Sequence, residues 1–155
     1  MISRQLIIYF LLCLIAILMV KEFSYSPESF SGSGNPAILL YPFVLLTFSL
    51  FGYELFLKLK EAGFKKAGWR NVIVCSLLIF FASCALEYDY YNELIQKLGG
   101  SPTNEQSRIY HFPWLNQYTN PIFVNFYTFL IYASLLTFLT SLYCWKHIKL
   151  NKDSL

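Results

Sequence analysis

Glu54 is the one carboxylate set within an apolar run. An ionisable side chain in hydrocarbon is a candidate for proton or solute handling, because an unpaired charge there is costly. Lys58 stands one helical turn further on, nearer the end of the run. The i,i+4 spacing therefore predicts an interfacial Glu54–Lys58 pair in preference to a transport site. A second concentration of chemistry is acidic and aromatic. Glu87, Asp89, Tyr90, Tyr91 and Glu93 crowd into seven positions together with Tyr88. Such a cluster can bind a partner or a cationic ligand. It reads equally well as an interfacial aromatic belt with its polar edge.

The remaining reactive side chains point away from catalysis. Cys13, Cys75, Cys84 and Cys144 contain no C-x-x-C pair, and only Cys84 is near the outer face. Small buried residues are the expected role, not thiol exchange. His111 and His147 are predicted on opposite faces, which excludes a bis-imidazole haem within one chain. A zinc site would need His111 with Glu87, Asp89, Glu93 or Glu105, and their spacing does not favour one. There is no phosphate-binding glycine loop, no G-x-S-x-G and no H-E-x-x-H. No catalytic, cofactor or metal residue is assigned. Ser134, Thr137 and Ser141, followed by Cys144, recur at 3-4-3 spacing, as small residues do where helices pack closely. Asn125 lies further out on the same segment, and with Glu54 and the hydroxyl stripe it would be the polar lining of a transport path.

The elements that must position these residues are membrane spans. Hydrophobic residues make up 56% of the 155, and charged residues 14%. An ordinary soluble domain has about 45–50% and about 25%. The apolar excess falls in four blocks, giving spans at about 2–20, 36–57, 71–91 and 121–145, all within a single membrane domain covering 1–155. The first block lacks a small-x-small cleavage site around Met19-Val20-Lys21-Glu22, so it is expected to be a retained helix. Asn35-Pro36 opens the second span and Asn120-Pro121 the fourth, a cap residue followed by a proline whose missing N–H costs nothing there. Pro42 is expected to kink the second span about two turns inside it.

Orientation follows from Lys and Arg. Nine of them (Arg4, the run Lys58 to Arg70, and Lys146, Lys149 and Lys152) fall on one side of a four-span layout, against Lys21, Lys97 and Arg108 on the other. That asymmetry places both termini in the cytoplasm of a cell-membrane, multi-pass protein. The outer loops are then about 21–35, rich in Ser and Gly and expected to be flexible, and about 92–120. In the second, Leu86, Tyr90, Leu94 and Leu98 form a stripe extending the third helix, Glu93 and Lys97 are an i,i+4 pair, and Gly99-Gly100 is a stop signal. Ser101-Pro102 is expected to cap a short helix toward Tyr110, and His111-Phe112-Pro113-Trp114 to return the chain along the membrane.

Sliding the first helix by 66 residues sets Arg4-Gln5-Leu6-Ile7-Ile8 on Arg70-Asn71-Val72-Ile73-Val74. With the two Asn-Pro pairs, this suggests a duplicated helical hairpin in parallel orientation. The expected fold is thus all-α, four transmembrane helices in an up-down-up-down bundle with a small helical extracytoplasmic loop. The net charge of +3 is explained by membrane orientation, not by nucleic acid. The expected role is non-catalytic: an interaction, accessory or immunity-type protein acting through helix packing and the second outer loop, on a membrane protein partner or as a homo-oligomer in the lipid bilayer. The alternative is a small oligomeric transporter or channel. An enzyme using the outer loop is a distant third.

Overall fold

The computed structural model describes residues 3–29 and 34–152, with side chains as far as 147. Ile2, expected to extend the first span, and residues 30–33 of the first outer loop lie outside the described residues. Among those described the fold is all-helical, without strands. Four helices are long and apolar enough to cross a membrane. They are α1 (Arg4–Glu22), α2 (Tyr41–Glu61), α3 (Lys66–Lys97) and α5 (Phe126–Lys152), with a single turn, α4 (Asn120–Phe123), before the last.

Local chemistry sets the helix ends. Ser3 caps α1 by accepting the Leu6 amide at 3.0 Å. Pro36 opens a short 3-10 segment, Pro36–Leu40, ahead of α2. Pro42 then stands in the first turn of α2, where no intrahelical N–H is lost. The expected kink is thus a helix junction: the chain changes from 3-10 to α just before the proline. Asn120-Pro121 does the same at the other hairpin. It opens only α4, which ends at Val124 in extended backbone. The long helix begins anew at Phe126, capped by Asn125, whose Oδ1 accepts the Thr128 amide at 2.9 Å while Thr128 Oγ1 accepts the Asn125 amide at 2.9 Å. Both Asn-Pro pairs therefore start a one-turn prelude, not the main helix.

α3 has 32 residues, about 48 Å at 1.5 Å each, against about 30 Å of hydrocarbon. Its excess stands beyond the apolar section, and Lys97 donates to Glu93 at 2.6 Å there. It stops at Gly99 and Gly100, with φ +82° and +127°, a left-handed turn that a Cβ would strain. Leu94 and Leu98 bury against Ile109 and Tyr118, with Tyr25 packed on the cluster. Residues 101–110 form turns and not the expected helix. The physical reason is local competition. Asn104 accepts the Gln106 amide through its side chain and donates to Gly99 O, and Ser107 Oγ donates to Gly100 O at 2.6 Å, so side chains take up the groups a helix would use. The loop after α1 is tied to the loop after α3: the Tyr25 amide donates to Gln117 O at 2.8 Å and Arg108 to Pro27 O at 2.5 Å. Residues 23–29 are thus held against a folded surface, and Ser31, Gly32 and Ser33 of the stretch expected to be flexible lie outside the described residues.

α1 packs on α2, α2 on α5, and α5 on α3 in the most extensive of the contacts. Ser3 meets Glu54 and Phe10 meets Phe51, so α1 and α2 run antiparallel. Tyr41 reaches Asn120 and Phe48 reaches Phe129 and Tyr132, so α2 and α5 run parallel. Lys66 lies over Trp145 and Tyr90 against Tyr127, so α3 is antiparallel to α5. The spatial order α1–α2–α5–α3 is the order two like hairpins would adopt about an axis between α2 and α5. The two flanks differ. On one, Phe10 of α1 sits against both Phe51 and Phe129 and closes an aromatic core with Phe48. On the other, α3 touches α5 and leaves a cleft toward α2.

Candidate functional site

Two places gather the polar side chains. The first is the end at which the Asn-Pro turns meet. Asn35 Nδ2 donates to Asn120 Oδ1 at 3.2 Å, and Asn120 Nδ2 donates to Asn35 Oδ1 at 2.7 Å. Asn120 is fully buried, so this reciprocal amide pair satisfies groups that would otherwise be costly. Asn35 caps nothing with its side chain; the pairing replaces the expected cap. Asn116 and Thr119, both buried, complete the network, with Asn116 Oδ1 accepting the Tyr118 amide at 2.9 Å. The repeated Asn-Pro was the signal in the sequence, but nothing in it said the two asparagines would touch.

Next to it, Asn125 Nδ2 donates to Glu87 Oε2 at 2.6 Å and to Pro121 O at 2.8 Å. Glu87 of α3 thus faces the N-terminus of α5, where the partial positive charge of the helix favours a carboxylate. The acidic and aromatic cluster is split by this. Glu87, Tyr90 and Tyr91 turn inward, with Tyr90 at 6.3 Å from Tyr127 and Tyr91 at 6.2 Å from Trp114. Asp89 and Glu93 remain exposed, and Glu93 holds Lys97. The five residues do not form one open patch.

At the opposite end Glu54 is 6% exposed and accepts from Ser3 Oγ at 2.7 Å. Lys58 does not pair with it. Lys58 bonds Glu61 at 2.7 Å, where both groups stay partly in solvent and little desolvation is needed. Ser3 was missed in the sequence because nothing local links it to a residue 51 positions away.

The second place is the cleft between α2, α3 and α5, about 440 Å³, walled by Phe51, Leu55, Val72, Ile79, Leu130 and Ala133. Ser76, Ser134 and Thr137 also line it. Their hydroxyls donate to carbonyls of their own helices, at 2.9, 2.6 and 2.8 Å, so the wall they present is apolar. Ser141, further along α5, is fully buried. Three buried polar atoms lack a hydrogen-bond partner among the described residues: Trp69 Nε1 and Glu87 Oε1 on α3, and Ser141 Oγ on α5. All belong to the two helices of one seam. No group of three His, Cys, Asp or Glu side chains comes together among the described residues, and the four cysteines are free thiols.

The chain matches no family model, and comparison with the curated proteins and with solved structures gives no match.

Proposed function

We propose that this chain is a multi-pass protein of the cell membrane, four spans arranged up-down-up-down with both termini cytoplasmic, whose non-catalytic role is to bind another membrane protein along α3. The observation that carries the reading is how little of α3 its own chain covers. Of its most apolar stretch 11% is buried, against 28% for Pro36–Glu61. α3 is held by α5 and a few contacts to α4, and the orphaned polar atoms on α3 and α5 cost about 1–3 kcal/mol each. Val74, Leu78, Phe81, Ala85 and Tyr88 are all exposed and follow each other at alternating spacings of four and three. That repeat supports a helix-on-helix seam. Small residues on α5 (Ser134 and Ser141) serve the internal packing of α3 on α5.

A transport role draws no support from the polar groups. Glu54 is engaged by Ser3, Asn125 by Glu87 and its own helix, and the hydroxyls of Ser134 and Thr137 by their own backbone, while Ser141 is fully buried.

The test has two parts. Cysteines placed singly at 28, 64 and 105 in a cysteine-free variant are labelled from either side of sealed vesicles; only 28 and 105 are expected to react from outside. The tagged chain is then isolated from its native membrane in mild detergent. A stoichiometric membrane protein, lost when Leu78 and Phe81 are changed to Ala, supports the reading. A monomer with no companion under crosslinking rejects it.

A further inference from the structure

The cleft beside α3 opens at the basic end. Its lining begins there at Leu55 and Asn71 and reaches Ile79 at the middle of α3 and Leu130 about one turn into α5. About 440 Å³ falls within the ~300–1,000 Å³ of small-ligand pockets. Its wall is apolar, so water finds too few partners there, and an empty gap forfeits dispersion contacts. Within hydrocarbon, then, something apolar fills it. An unbranched acyl chain, apolar along its whole length, matches this wall and restores the dispersion contacts.

The mouth of the cleft is basic. Exposed Arg70 precedes Asn71, and Lys66 lies one turn before Arg70, over Trp145. The acidic groups of this end are engaged elsewhere: Glu54 faces Ser3 on the α1 side, and Glu61 holds Lys58. We propose that the cleft binds one acyl chain of an anionic phospholipid, with its phosphate held at Arg70 and Lys66. The inference rests on the membrane reading above, and it is independent of any protein partner.

The test is native mass spectrometry of the full-length chain in mild detergent, titrated with palmitoyl-oleoyl phosphatidylglycerol or the matching phosphatidylcholine. The expected result is one retained phosphatidylglycerol per chain, preferred by about fivefold for each cation that faces the phosphate. Ala133→Phe, which fills the cleft, abolishes retention. Arg70→Gln with Lys66→Gln, both on the surface, keeps a bound lipid but brings the two headgroups to near parity, so the proposal stays testable if the filled variant does not fold. Equal retention of both lipids by the unaltered chain overturns the headgroup assignment. Undiminished retention in a folded Ala133→Phe variant, or a protein held in place of lipid, overturns the site. Release of the chain from its membrane by alkaline carbonate would instead reject the membrane reading itself.

Discussion

Asn35 and Asn120, 85 positions apart, donate to and accept from each other at 3.2 and 2.7 Å. The pair joins the start of one hairpin's second helix to the start of the other's, at the end of the α2–α5 contact. Asn35→Ala leaves the Nδ2 of fully buried Asn120 without its acceptor, at an expected cost of about 1–3 kcal/mol, and Asn120→Ala strips the half-buried Asn35 of the same pairing. The double variant should lose less than the sum, with a coupling of about 0.5–3 kcal/mol. Unfolding in mixed micelles with rising dodecyl sulfate measures both.

Asn125 has two duties, capping α5 and holding Glu87. Asn125→Ala should cost about 0.5–2 kcal/mol for the cap. Asn125→Asp preserves the cap but sets a second carboxylate where Glu87 accepts at 2.6 Å. That variant should be less stable than the parent and should recover when Glu87→Gln is added, since the amide can donate to the new carboxylate. A recovery that fails would place Glu87 elsewhere. The same unfolding assay reads it.

Gly52 of α2 lies directly against Tyr132 and Leu136 of α5. A Cβ there would overlap the Tyr132 hydroxyl, which donates to Phe48 O at 3.0 Å, and would sit 3.1 Å from Leu136 Cδ2. Gly52→Ala should lower stability by about 1–3 kcal/mol, as overpacking does. Tyr132→Phe removes the overlapping atom and should restore part of the loss. Thermal aggregation of the detergent-solubilised variants, compared as a cycle, is sufficient.

Glu54 serves α1–α2 packing in this account. Glu54→Gln keeps an acceptor for Ser3 and should leave stability and partner recovery unchanged within error, whereas Glu54→Ala and Ser3→Ala should each destabilise the α1–α2 contact by about 1 kcal/mol. Loss of recovery in Glu54→Gln, with normal expression, would return Glu54 to a role in proton or ion handling.

The long apolar blocks, and the glycines that stop α3, were legible because hydropathy and backbone permission act locally. The Glu93–Lys97 pair was legible for the same reason. What could not be read was tertiary. Glu54 had a partner four residues away by spacing and found one 51 residues away in space. Pro42 has the same ring wherever it falls, and only the 3-10 segment before it made its place a helix start. Residues 101–110 carried a plausible cap in Ser101-Pro102, but the side chains of Asn104 and Ser107 competed for the backbone. The acidic and aromatic cluster was visible as composition. Its division into inward Glu87, Tyr90 and Tyr91 and outward Asp89 and Glu93 depends on where α5 begins, which Asn125 and not Asn120 decides.

We propose the open face of α3 as the place where another membrane protein binds. The most direct measurement is photo-crosslinking in the native membrane, with benzoylphenylalanine at Phe81 of α3 and, as the control, at exposed Leu18 of α1. One discrete protein adduct is expected from position 81, shared with position 78 or 85, and none from position 18. Lipid adducts alone from both helices would contradict it.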